Sequence, residues 1–570
     1  MPIKSWHYGL AAAVAIALEL LSIAGLSVPW AQGQPDCTVT VQPGQPIQQA
    51  IDEAKEGAVI CLAAGTWGEN IEIRKSVTLR GAGRKQTKIK GNEEYEPIIK
   101  VKSDSEIEVR IEGLTAAEAQ IASGIEIADK ARVTFTNTQV SGNERNGIVM
   151  EDSAQATIEN NIIQENRECG LRSSSDKPAQ GQGNRLVGNG ADLCGNLSAH
   201  LRIPLVPETS QTELSFPGPY PTLQETIDAL APGGTITLAA GEHQGSVTIW
   251  KPLTLKGVGQ EEVKIRKAVS LISEAQGAQI EGVTITSSVF TGLLLGGQVK
   301  VTLTNSQVSD NKYDGIWIGD SAQITIANSL ISNNVLHGIK INGQAQLSII
   351  ANSQILKNAL AGIWMEDSSR ATITSSHISD NLTGIWIDDS AQATITNSKI
   401  LGNSDGITTM NSAQVAVVNS LIASNGDGIE IGGSTKATIT NSRVLSNRKT
   451  GILMKGLAQA EIRGSIIEGN GTSELCKGGK LLCSGVSVWG ESRGKIIGSR
   501  IIKNADWGVE AYLKQCGYEK DNFTGQVLFE EMMLEDISGN NTTGNQNGMG
   551  NPGNHYWNRP DIPDGQVCLP

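Results

Sequence analysis

GIWIDDSAQATITNSKILGNSD, residues 384–405, runs directly into GITTMNSAQVAVVNSLIASNGD, residues 406–427, and then into GIEI. Two consecutive units of 22 residues therefore carry one pattern. Each has Gly-Ile, a short apolar alternation, a polar corner with Ser-Ala-Gln, a second alternation, Asn-Ser, a third short run and a closing Asn. Working outward, the Gly recurs at Gly292, Gly315, Gly338, Gly362, Gly384, Gly406, Gly428 and Gly451, with spacings of 22 to 24 residues. Self-similarity at this period marks a solenoid.

Each unit holds three alternating runs, such as Gly384–Ile387, Ala393–Thr396 and Lys399–Leu401. Alternation at period two, rich in β-branched residues, predicts strands with one buried face. One turn of three strands cannot bury that face alone; stacked turns build a continuous core. Asn recurs at one tight corner (Asn305, Asn328, Asn352, Asn397, Asn419, Asn441). A second series precedes the Gly (Asn311, Asn334, Asn358, Asn381, Asn403, Asn425, Asn447). Asn tolerates left-handed backbone, and amides stacked at one position per coil can bond to each other. Their phase favours an internal ladder over a ligand-binding surface.

With these repeats the chain resembles the right-handed parallel β-helix proteins of the pectin-lyase-like superfamily, of the short-repeat type. The resemblance covers most of the chain after about Gln34. It implies an all-β, three-sheet solenoid, and the expected form has two tandem modules, each with an N-terminal helical cap. It says little about activity, because one fold hosts many functions.

Residues 1–33 read as a secretion signal: Lys4, an apolar run from Leu10 to Val28, then Ala31-Gln32-Gly33. Glu19 interrupts the run and argues against a stable membrane span; an uncleaved anchor is the alternative. The expected location is secreted, periplasmic or cell-surface. Eight cysteines agree with export. Sequential pairing is expected: Cys37–Cys61, Cys169–Cys194, Cys476–Cys483 and Cys516–Cys568, each stapling an end or an insertion.

Residues 46–89 and 221–265 repeat each other at an offset close to 176. Ile47, Ala50, Ile51 and Ala54, and likewise Leu223, Ile227 and Leu230, fall at helical spacing, as a plug for the open end of a coil requires. The resembling superfamily has a cap region of this kind. Two caps imply two modules: a short one over 34–197 and a long one over 221–538, joined by a Pro-rich linker, 198–220. A C-terminal Asn/Gly-rich tail and cap, 539–570, closes the chain. A net charge of −13 without a basic patch excludes nucleic acid as a partner. A polyanionic glycan would also be repelled overall unless calcium bridged it.

Chemistry is expected on the strand after the repeat Gly, where alternate residues point outward. The first outward column reads Trp317, Lys340, Trp364, Trp386, Thr408, Glu430, Leu453. The second reads Gly319, Asn342, Glu366, Asp388, Met410, Gly432, Lys455. A pyranose can stack on an indole while acids and amides take its hydroxyls. Trp317, Lys340, Trp364, Trp386 and Glu430 are therefore the candidate polysaccharide-binding residues; side-by-side packing of the indoles and a protein contact are the alternatives. Glu366, Asp388 and Lys340 are the candidate catalytic residues of a hydrolase or lyase. Glu366 and Asp388 on adjacent rungs could hold calcium, the one cofactor considered; a solvated charged strip is the plainer reading. Copper handling, known in the resembling family, is disfavoured by sparse Met and scattered His. Asp129, Asp152, Asp320, Asp367 and Asp389 begin the first corner and are expected to bond turn backbone. Three functions stay open: a polysaccharide-binding protein, an enzyme on the same sheet, and a structural or adhesive rod.

Overall fold

A computed structural model describes residues 37–569 apart from 178, 198–200, 202, 351, 475, 477–482, 514–519 and 532–566. The expected signal segment, Cys516 and most of the C-terminal tail lie outside the described residues.

Each repeat forms three strands, as at Thr383–Ile387, Gln392–Thr396 and Lys399–Leu401. Every strand pairs in parallel with its equivalents one coil before and after. Trp386 stands between Trp364 and Thr408, Ile395 between Ile373 and Val417, and Ile400 between Ile378 and Ile422. From Glu213 onward the stack has three sheets, of 14, 12 and 13 strands. Over residues 39–195 there are two, of 10 and 6 strands, because Ile99–Glu112 and Ile125–Thr136 run round a corner and merge two sides. The inward residues Ile385, Ile387, Ile395 and Ile400 are fully buried, and their equivalents continue up the coil as one apolar column. Burial of this column is the main favourable term in folding.

The corners follow from backbone chemistry. Asn305, Asn328, Asn352, Asn397, Asn419 and Asn441 all have φ between 49 and 55°, the left-handed region that Asn tolerates. The second Asn series forms a buried ladder from Asn311 to Asn504. Each Nδ2 donates to the Oδ1 of the next coil at 2.8–3.1 Å. The corner aspartates behave as expected for turn residues. Asp152 accepts from the backbone N–H of Asp129, Asp320 from Gly297, Asp367 from Gly343, and Asp389 from Asp367.

Helix α1 (Ile47–Glu53) turns Ile47 and Ile51 into the first core. Helix α2 (Leu223–Ala229) does the same with Leu223 and Ile227, and Thr222 with Glu225 forms a capping box. Within the stretch expected as a linker, Glu213–Phe216 is a strand that pairs with Thr235–Leu238 and opens the second stack. Pro207 and Pro217 bracket this strand without entering it, so no ladder hydrogen bond is lost to them. At the far end Val567–Cys568 adds to Val509–Ala511.

Three of the four expected disulfides form: Cys37–Cys61, Cys169–Cys194 and Cys476–Cys483. Cys568 is disulfide-bonded as well.

Among the described residues, no strand ladder joins the sheets before Gly195 to those after Glu213. The two stacks meet through packing and isolated hydrogen bonds instead. Cys169, Ala191 and Cys194 pack against Ala268, Phe290 and Leu294. Ser246 Oγ donates to the carbonyl of Asn189 at 2.8 Å, and Tyr313 Oη to Glu168 at 3.4 Å. Gly296 lies against the backbone of Gly195, where any Cβ would collide. No described helix is long and apolar enough to cross a membrane.

Candidate functional site

The outward column forms in the expected register. Along the 13-stranded sheet the ladder runs Leu294, Trp317, Lys340, Trp364, Trp386, Thr408, Glu430, Leu453. All three tryptophans are half-buried. The structure adds how their rings are held. Trp364 and Trp386 lie face to face, with centroids 5.1 Å apart and planes within 6°. Their faces are therefore turned along the coil axis and their planes lie across it. The far face of Trp364 meets the tilted ring of His337 at 5.0 Å. Beyond Trp386 the column continues with Thr408, which is buried. Trp317 takes another pose, laid over Gly319, where a side chain would leave it no room.

The second outward column sets these rings. Glu366 accepts from Trp364 Nε1 at 3.1 Å and pairs with Lys340 Nζ at 3.1 Å. Asp388 accepts from Trp386 Nε1 at 3.4 Å and from Asn411 Nδ2 at 2.6 Å. Where Gly319 replaces the acid, the indole above has no such acceptor and lies down. Glu430 pairs with Lys455 at 2.8 Å, and Lys455 lies 5.5 Å from the centre of the Trp489 ring. Trp489 in turn packs on Tyr512 at 4.4 Å.

All of the proposed binding residues thus share one face, and Glu366, Asp388 and Lys340 sit together in it. Neither carboxylate is without a partner, so both act in this geometry as fixed acceptors. The stacked Trp364–Trp386 pair realises the packing alternative for those two indoles. His337 was out of strand phase in the sequence. The corner nevertheless brings it onto Trp364, with Nδ1 2.7 Å from Asp314. Trp489 and Tyr512 also extend the face; each stands four residues after a repeat glycine, Gly485 and Gly508, and so continues the second outward column beyond the insertion that follows Gly451. Among the described residues, no three His, Cys, Asp or Glu converge to hold a metal ion.

A sequence profile described as "Right handed beta helix region" matches residues 73–201 and 268–422. A second, "Periplasmic copper-binding protein (NosD)", matches 380–567. With the stacked parallel sheets, these matches make the chain a right-handed parallel β-helix protein. No curated protein sequence matches it. Among solved structures it is similar to the A-module of an Azotobacter vinelandii mannuronan C-5 epimerase, AlgE6. Identity there is 16%, with 85% of this chain and 94% of the other covered and a TM-score of 0.25. A double mutant of the periplasmic alginate epimerase AlgG aligns at 10% identity, covering 87% and 84%, with a TM-score of 0.27. The alginate lyase from Paenibacillus sp. aligns at 15%, covering 55% and 99%, with a TM-score of 0.22.

Among the described residues of the second matched segment no set of side chains fits copper, Met410 being the one half-exposed thioether there. Cys476 and Cys483 are joined to each other, and Met454 is sealed in the core. No described residue from 380 to 567 is a histidine. Soft or imidazole ligands for copper are what such a site needs.

Proposed function

We propose that this protein is exported and binds an extended polysaccharide along the face from Trp317 to Lys455, holding the chain without cleaving it. In this reading the face belongs to the second of two modules, 34–197 and 221–538, the first serving to position it. The observation that carries the reading is the paired column. Indole edges alternate with oxygen and nitrogen groups locked in place by those same indoles, over consecutive rungs. Spaced about 4.8 Å apart, such rungs offer a repeating set of hydrogen-bond partners to the hydroxyls of a sugar chain. Sugar stacking is assigned to Trp317, since Trp364 and Trp386 cover each other. Export is supported by the disulfides, which persist in oxidising compartments, and by the periplasmic description of the second matched family.

The test is intrinsic tryptophan fluorescence titrated with neutral and acidic polysaccharides, with and without calcium, in wild type and in Trp364→Ala/Trp386→Ala. A saturable change that the double variant loses is the expected result. An equal response in the double variant, or none across the panel, would leave a structural rod. Shortened or unsaturated products in the same mixtures would replace holding by hydrolysis or elimination at Glu366, Asp388 and Lys340.

A further inference from the structure

The outward column does not run free at both ends. Leu294, the rung before Trp317, is 3% exposed because it packs under Cys169 and Cys194 of the first stack. The first stack has an outward column of its own on the equivalent sheet, ending Val149, Arg172, Cys194. The two columns converge on a cleft of about 200 Å³ walled by Arg172, Trp317, Tyr313 and Lys340. That is below the roughly 300–1,000 Å³ of pockets that enclose drug-sized ligands, so it has room for one sugar residue and not for a passing chain.

Charge in the cleft is unevenly satisfied. Arg145 pairs with Glu168, Lys340 with Glu366, and Asp314 with His337. Arg172, half-exposed on the cleft wall, makes no ion pair or side-chain hydrogen bond among the described residues; Glu151 feels only its field. A guanidinium is built for two-point binding of a carboxylate, and here it shares a small cavity with an indole. We propose that this cleft is a terminal subsite, which takes the carboxylated sugar at one end of an acidic polysaccharide while the following residues lie along Trp364 and Trp386. The inference rests on the polysaccharide reading above and deepens it. The face becomes a blind-ended groove that recognises chain ends, and the ligand class becomes a polyuronate in spite of the net charge of −13.

The experiment compares short oligouronates with the same oligomers whose terminal carboxyl is reduced to the alcohol. Binding is measured to wild type, Arg172→Gln, Arg172→Lys and Trp364→Ala/Trp386→Ala. Wild type is expected to prefer the carboxylated end about ten- to a hundredfold, the scale of a charge-assisted contact. Arg172→Gln is expected to abolish that preference while binding the reduced oligomer as wild type does, and Arg172→Lys to restore part of it. If Arg172→Gln keeps the preference while the Trp variant weakens all oligomers, the terminal subsite is wrong and the polysaccharide face stands. If a monomeric uronate binds through Arg172 but no oligomer does, the cleft is only a small-acid site and the proposal is overturned. If neither monomer nor oligomer binds, the terminal subsite falls, and the polysaccharide face is decided by the neutral glycans of the fluorescence titration.

Discussion

Asn403 shows how much of this fold is argued at single side chains. Its amide donates to Asn425 at 3.0 Å and accepts from Asn381 at 3.1 Å, and it is fully buried. Asn403→Ala would leave the buried backbone N–H of Asn381 without its acceptor and break the amide ladder at this coil, at about 1–3 kcal/mol for the orphaned group. We expect chemical denaturation to show that loss, with amide exchange accelerating first in coils 381–425. Asp506 is the second such residue. Burial pushes its carboxyl up to about 6. A raised folded-state value means that the folded chain holds the proton more tightly. Its contribution is therefore complete below the ordinary aspartate range of about 3.9 and is lost as pH rises through 6. The last coils are expected to open more readily at pH 7 than at pH 4.5, as read by exchange or proteolysis at residues 500–511. Asp506→Asn should flatten that difference; an unchanged profile would mean that other groups set it.

Within one rung, three strands and their corners form a unit that has no meaning alone. Ile395 lies between Ile373 and Val417 on one wall and faces the other two sheets across the core. Ile395→Ala should cost about 2–5 kcal/mol, the usual range for a fully buried aliphatic truncated to alanine. In a solenoid the loss stays near the site, because stability sums over neighbouring repeats. Thermal unfolding should therefore broaden or split, and not simply shift. The capping helix α2 works at the same scale. Thr222→Ala removes the side-chain acceptor for the Glu225 N–H, a change worth about 0.5–2 kcal/mol, and should expose the start of the second core to protease before the middle.

Across the whole molecule the two stacks touch through a contact whose apolar part includes the Cys169–Cys194 disulfide and extends to Trp250 and Ile272. The bridge closes 25 residues of chain, for which loop entropy predicts about 3.5 kcal/mol. Cys169→Ser/Cys194→Ser is expected to lower protection of residues 148–195 and leave 363–454 unchanged. In the oligomer-binding assay the same variant should lose the preference for a carboxylated end, since Arg172 pairs in register with Cys194. Retention of that preference would show that the cleft keeps its shape without the bridge.

The repeat itself was legible without coordinates. A glycine every 22 to 24 residues, period-two alternation and two Asn phases admit only a coil with a shared core, because no single turn can bury its own face. The same arithmetic set the outward column from Trp317 to Leu453, since side-chain direction along a strand alternates strictly. Sequence proximity also served for three disulfides that staple local chain. It could not say which way an indole plane turns. That depends on an acceptor two residues on in space as well as in sequence: Glu366 and Asp388 stand their rings up, and Gly319 lets Trp317 lie down. Nor could it bring His337 onto Trp364 or Arg172 opposite Trp317, which are 145 positions apart. Those meetings come from the corner path and from how two separately stacked coils lean together. Both are set by packing between residues with no periodic relation, so only the tertiary structure could decide them.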